Sequence, residues 1–330
     1  MDKNIFNKLT IIIPTHNRPE TLKRHLDYLK KQKTKYDVII VDSSRIKKNY
    51  IGPYRYFYMP GKNANLKILK VLSQIKTKYV LTVADDDLFI PSGVNKCLSF
   101  LEKNKNFVGA HGKYFLHTKL ININFLNFFK FIPIAYPNYH YDLNKKKSFN
   151  RAITYLEGKL TPLNYAVFKT AVFKKVWNLA TKHRNEDVLF LEFVPSFLFY
   201  FYGNVKCLNA PYITRENSFR KKHQIEFTNS KTFILAKNFL VKVCLTKKSK
   251  NKIRLNRLSN LLDIRKEKER ESLILHKKFT FDISKFKIYK LIKVIYFMFA
   301  KKYKFEKEKI NKILKLYPNV VNEIKKTEMK

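Results

Sequence analysis

The chain has 330 residues, 45% hydrophobic and 15% aromatic, with 28 Phe and 20 Tyr; a chain disordered throughout is excluded. Its 68 Lys+Arg against 25 Asp+Glu leave a net charge of +43, a field that favours anionic partners: nucleotides, nucleic acid or anionic lipid. Cys97, Cys207 and Cys244 stand far apart without pairing or metal-ligand spacing, which argues against a disulfide scaffold or zinc site and for a reducing compartment.

In chain order, LTIII (Leu9–Ile13) is a continuous apolar, β-branched run bounded by Pro14 and reads as a buried strand. A helix starts near Pro19, with Leu22, Leu26 and Leu29 on one face. YDVIIVDSS is a second buried strand ending in Asp42, and YRYFYMPG a short third. NANLKILKVLSQIKTK is a helix with Ile68, Leu69, Leu72 and Ile75 inward. YVLTVA then leads, as a strand, into Asp85-Asp86-Asp87, followed by a helix with Pro91 in its first turn and a strand in FVGAHGKYFLH. Continuous apolar strands alternating with amphipathic helices predict an α/β fold with a mostly parallel sheet covered on both faces.

Residues 118–150 are aromatic and loosely periodic, an excursion from the sheet, before LTPLNYAVFKTAVFKKVWN resumes a strand-then-helix pattern. Past about residue 229 come basic, helical-looking segments. Residues 231–330 carry a net charge of +20 and the preceding 230 residues +23, so the last hundred are about twice as dense in charge. The expected division is a domain over 1–228, with halves at about 1–117 and 118–228, and a basic, mainly helical region over 229–330. LTIII is too short for a signal-peptide core, and LFLEFVPSFLFYFYG is short and holds Glu192 and Pro195. The expected location is cytoplasmic.

Three consecutive carboxylates after a buried strand repel one another unless a cation lies among them. In an extended strand Asp85 and Asp87 face one way and Asp86 the other. Such a rim suits Mg²⁺ or Mn²⁺, which take one or two carboxylates, keep waters and complete their shell with substrate phosphates. The competing reading is a capping or turn cluster, since Asp is common where strands end. PTHNR, Asp42 and the triplet each follow a strand's carboxyl end, the side on which ligands bind in such sheets, so all three share one rim.

LTIIIPTHNRPETLKRHLDYL, VIIVDSS and YVLTVADDDLFIPSGV, in this order and spacing, resemble the nucleotide-binding half of family 2 glycosyltransferases with the GT-A fold. The resemblance covers residues 9 to about 220. It implies a nucleotide-diphosphate sugar donor, a UDP-sugar above others, and inversion at the anomeric carbon. By position it implies Asp42 at the nucleoside base, Asp85 and Asp86 at the nucleoside and behind the metal, and Asp87, with Asp85, on Mn²⁺ or Mg²⁺. Pro14, Thr15 and Arg18 would line the nucleotide pocket. Glu186-Asp187 in RNEDVLF matches the Glu-Asp pair that opens a helix beneath the family's acceptor pocket, with Asp187 as general base and Glu186 the other candidate; an ordinary acidic helix start is the alternative. Arg215, Arg220 and His223 stand where such enzymes place basic groups near the diphosphate; surface solvation is the alternative for each. His16, His25, His111 and His117 lack ligand spacing and read as structural or surface residues.

The expected acceptor is a surface-glycan or lipid-linked saccharide, and the basic C-terminal helices, rich in Phe, Tyr and Ile, suit either an anionic membrane surface or a helical cap on the fold with a solvated lysine face. Two other classes fit the composition: a nucleic-acid-binding protein or metal-dependent nuclease, and a non-catalytic surface-binding protein with a structural triplet. Against the first, no nucleic-acid-binding motif is present.

Overall fold

The computed structural model describes residues 8–32, 36–117, 134–135, 148–157, 162–181, 189–216, 230–246 and 255–267. The chain divides into two units, Met1–Phe115 with Asn138–Glu216, and Leu116–Pro137 with Asn217–Lys330.

The first unit is built on a sheet whose strands run in the order β3-β2-β1-β4-β8-β6-β9-β5. β1 (Leu9–Thr15), β2 (Asp37–Asp42), β3 (Tyr54–Tyr58) and β4 (Tyr79–Thr82) form its parallel half. Leu9, Ile11, Ile12, Ile13, Ile39, Ile40 and Val41 are fully buried, as expected of strands covered on both faces. Each such side chain contributes roughly 1.5–3 kcal/mol relative to exposure. The other half is antiparallel: β8 (Val167–Lys169) lies between β4 and β6 (Phe107–His117), and β9 (Asn204–Glu216) pairs with β5 (Leu88–Phe89).

Helix α1 (Pro19–Lys31) buries Leu22, Leu26 and Leu29, with Pro19 in its first turn. Helix α2 (Ala64–Val71) is capped by Asn63, whose side chain accepts from the Leu66 amide at 2.8 Å. It buries Ile68, and the turn that continues it buries Leu72 and Ile75, whereas Leu69, expected inward, is half-buried and Lys67 is buried instead. Helix α3 (Pro91–Lys103) lies so close to β9 that a Cβ on Gly93 would stand 1.9 Å from the Pro211 carbonyl oxygen. Helices α4 (Ser148–Leu156), α5 (Thr170–Ala180) and α6 (Val194–Tyr202) pack together. Every residue of α6 from Val194 to Phe201 is buried, and Arg151 of α4 donates to the Tyr200 and Phe201 carbonyls at 2.7 and 3.2 Å, satisfying groups that the helix end leaves unpaired.

In the second unit the described parts are the last two residues of β6, the two-residue strand β7 (Ile134–Ala135) and helices Ser230–Thr246 and 255–267. Lys237 pairs with Asp263 at 2.6 Å across the two helices. Among the described residues no helix is long and apolar enough to cross a membrane.

Candidate active site

The parallel register builds the site's floor. Thr15 lies beside Asp42 and Asp42 beside Tyr58, while the Val83 amide donates to the Ile12 carbonyl at 3.0 Å, continuing the β4 ladder past Thr82. Thr15, Asp42 and the triplet therefore share the carboxyl rim of the sheet, as the strand-end reading expects. Strand β4 itself stops at Thr82. The triplet occupies a turn between β4 and β5, closed by the Asp87 amide on the Ala84 carbonyl at 3.2 Å. The strand alternation expected for the three carboxylates does not apply on that turn. Even so, Asp85 and Asp87 are buried while Asp86 is half-buried.

The cations that the triplet requires come from the protein. Arg18, the residue before α1, spans two carboxylates, with Nη1 on Asp85 and Nη2 on Asp86 at 2.6 Å each. Thr15 donates to the other oxygen of Asp85 at 2.7 Å. Burial raises the Asp85 carboxyl above its ordinary value, opposed by the Thr15 hydrogen bond and the Arg18 charge. On α1, Arg24 reaches the Asp86 carbonyl at 3.4 Å. His25 lies fully buried against the Ala84–Asp85 backbone, and burial lowers its imidazole to about 4, so at neutral pH it is uncharged.

Asp87 meets Arg215 because β5 and β9 run antiparallel with Leu88 opposite Thr214, which makes Asp87 and Arg215 the next pair along the ladder. The Arg215 Nε stands 3.3 Å from Asp87 Oδ2, and its guanidinium lies 4.9 Å from the centre of the Tyr165 ring. Burial pushes the Tyr165 hydroxyl well above its usual range, so it stays protonated and hydrogen-bonds Asp87.

At the other end of the rim, Asp42 accepts from the Ser44 amide and the Tyr56 hydroxyl, at 2.7 Å each. Tyr50 packs against Tyr56 with ring centres 5.6 Å apart. Lys67 is almost fully buried and donates to the Thr15 carbonyl at 2.6 Å. Burial lowers its ammonium to about 8, against the pull of Asp42 and Asp85. Lys67 thus ties the two acidic ends of the rim together. Asn17, at φ 52°, turns the chain between β1 and α1, and its amide and side chain tie that turn to Ser44 and Arg45.

Of the residues singled out in the sequence, Pro14, Thr15, Arg18, Asp42, Asp85, Asp86, Asp87 and Arg215 are on this rim or bonded to it. Glu186, Asp187, Arg220 and His223 lie outside the described residues. Lys67, Tyr56, Tyr165 and the buried His25 were not legible as site residues. Tyr56 had one usable signal, its place two residues from the position beside Asp42 on a neighbouring strand.

Hard carboxylate oxygens at Asp85 and Asp87 suit Mg²⁺ or Mn²⁺ in kind. Among the described residues no group of three or more His, Cys, Asp or Glu is placed to hold a metal ion.

Comparison with known proteins identifies the class. The profile of glycosyl transferase family 2 matches residues 10–177, from β1 through most of α5 and just over half the chain. The chain belongs to glycosyl transferase family 2, and its fold is of the GT-A type. A search of curated proteins gives no match. Among solved structures, the chain is similar to S. aureus TarS 1–349, at 14% identity and a TM-score of 0.47 over 78% of this chain and 71% of that one. It is also similar to the same TarS segment in complex with UDP-GlcNAc, at 16% identity and a TM-score of 0.41 over 77% and 80%. Against a longer S. aureus TarS chain (18% identity, TM-score 0.41, 74% of this chain) it spans only 44% of that protein's length.

Proposed function

We propose that the protein is a metal-dependent, inverting glycosyltransferase that moves a sugar from a UDP-sugar to a hydroxyl of a surface-glycan or lipid-linked saccharide. One observation carries the reading: Thr15, Asp42 and Asp85–Asp87 stand on one sheet rim, their charges matched by Arg18, Lys67 and Arg215. Asp42 is a carboxylate acceptor suited to the imide N–H of a uracil ring. Tyr56 and the Ser44 amide hold its two oxygens in place, and Lys67 supplies positive charge nearby.

Asp87 and Asp85 would hold Mn²⁺ or Mg²⁺, which neutralises charge on the leaving diphosphate when bound. Asp187, with Glu186 as the alternative, would take the proton of the acceptor hydroxyl as its oxygen attacks C1 of the donor sugar. The C1–oxygen bond to the diphosphate breaks, and its electron pair leaves with UDP. Arg215, joined by Arg220 and His223, offsets the charge on that leaving group. Fixing donor and acceptor in line supplies much of the remaining acceleration.

The acceptor side places the protein, in this reading, in the cytoplasm and peripherally on the inner face of the membrane. Helix Ser230–Thr246 carries Lys231, Lys237 and Lys242 and no acidic residue, and leaves Ile234, Leu235 and Leu245 exposed, as an interfacial helix would.

The test is UDP release from a panel of UDP-sugars with a saccharide acceptor, with Mn²⁺, with Mg²⁺ and with chelator. Metal-dependent release that falls ~10²–10³-fold in Asp87→Ala, by the scale of losing one electrostatic group, supports the reading. Equal release by Asp87→Ala would contradict it.

A further inference from the structure

We infer that the loop between β2 and β3, residues 43–53, is a contact for anionic phospholipid: Ile46 and Ile51 enter the lipid interface while Arg45, Lys47 and Lys48 meet the headgroups. The inference rests on the reading of the protein as peripheral on a membrane, and it names where the unit that carries the donor site would touch that membrane.

Two independent features of the loop point to this partner. The first is apolar exposure. Ile46 is 70% and Ile51 101% exposed, whereas the other described isoleucines of that unit are all buried. The second is charge. From Ser43 to Ala84 the chain has nine Lys and Arg and no Asp or Glu, and Arg45, Lys47 and Lys48 are exposed on this loop. Of the carboxylates whose charge acts on Tyr50, in the same loop, Asp42 and Asp85 are buried and Glu20 is exposed. A nucleic acid would engage the cations and leave both isoleucines in water. An anionic bilayer takes both, since lysine stems reach past the isoleucines and leave their ammonium groups among the headgroups.

The loop is tied down at both ends and in the middle, so it presents these side chains on a fixed frame. The Arg45 amide donates to the Asn17 side chain at 2.9 Å, and the Tyr58 hydroxyl donates to the Arg45 carbonyl at 3.0 Å. Tyr50 packs on Tyr56, whose hydroxyl donates to Asp42. At the far end, a Cβ on Gly52 would stand 2.2 Å from the Tyr54 ring, and Tyr54 donates to the Leu26 carbonyl of α1 at 3.3 Å. These ties join the loop to Asp42 and to the turn after β1. Lipid bound at the loop therefore sets that end of the donor rim beside the membrane, where a lipid-linked acceptor stands.

The experiment labels the full chain with an environment-sensitive fluorophore at Ile46→Cys, at Ile51→Cys or, as a control, at Asn106→Cys on the exposed turn before β6. Each is made in a Cys207→Ser background, since Cys97 and Cys244 are buried. Emission is read with vesicles of phosphatidylcholine alone and of phosphatidylcholine with phosphatidylserine. Both loop labels should shift to the blue, and be quenched by nitroxide lipid, with phosphatidylserine only; the control label should not. Lys47→Gln with Lys48→Gln should weaken partition onto the phosphatidylserine vesicles about 30-fold, by the scale of two lysines at such a surface, with an unchanged melting temperature. Equal shifts at Asn106→Cys, or with phosphatidylcholine alone, would overturn the assignment. If the chain sediments with phosphatidylserine vesicles while both loop labels stay unshifted, the loop is not the contact and the peripheral reading stands on another surface. If the chain sediments with neither kind of vesicle, the peripheral reading falls and the loop contact with it. A shift on duplex DNA and none on vesicles would overturn the lipid assignment in favour of nucleic acid.

Discussion

His25 and Lys67 illustrate how burial changes what a charged side chain can do. His25 lies fully buried behind the triplet turn, and its folded value of about 4 is below the 6.5 of an open chain. Between those values the unfolded chain holds a proton that the folded chain does not. Stability is therefore full above pH 6.5 and declines as pH falls towards 4, by about 3 kcal/mol for this one residue. Urea unfolding at pH 7 and pH 4.5 should show His25→Gln losing less stability on acidification than the natural chain; parallel losses would contradict the assignment. Lys67 has the same origin with a different use, since its ammonium lies between the acidic ends of the rim. Neither was legible. His25 has no ligand spacing, and Lys67 looks like a solvated lysine on a helix whose apolar positions, Ile68, Leu72 and Ile75, were read correctly. The rim aspartates were legible because Asp is scarce here and each follows an apolar run.

Elements position these residues to different tolerances. The parallel strands were readable because strands buried on both faces need unbroken apolar runs, and α1 and α3 because each starts at a proline ahead of an amphipathic face. What the runs do not encode is where pairing stops. β4 ends at Thr82, and a turn carries the triplet before β5, which pairs antiparallel with β9. Nor does a three-residue strand such as β8 announce that it inserts antiparallel between β4 and β6. The contact between α3 and β9 sets where the Asp87 and Arg215 backbones meet. Gly93 sits there because any side chain would strike the Pro211 carbonyl. Gly93→Ala should lower unfolding stability by about 2 kcal/mol and weaken nucleotide binding with it. A thermal melt unchanged from the natural chain would show that the helix has room to move.

For the whole molecule, a net charge of +43 makes association with anionic surfaces the default to be measured. The full chain should co-sediment with vesicles containing anionic phospholipid, be released by raising salt, and ignore neutral vesicles. Equal binding to both kinds would remove the membrane from the account. Family membership gives the class of reaction, and the rim carries an acidic turn, the Asp42 carboxylate and cations at both ends. The donor site is the central claim, and thermal melting tests it most directly. The full chain would be melted with each of a panel of nucleoside diphosphates and nucleotide sugars, with Mn²⁺, with Mg²⁺ and with neither. A ligand that binds only the folded state raises the melting temperature by mass action. The account predicts metal-dependent stabilisation by UDP and one UDP-sugar, lost in Asp87→Ala and in Asp42→Ala. No shift with any nucleotide, alongside salt-sensitive DNA binding, would contradict it.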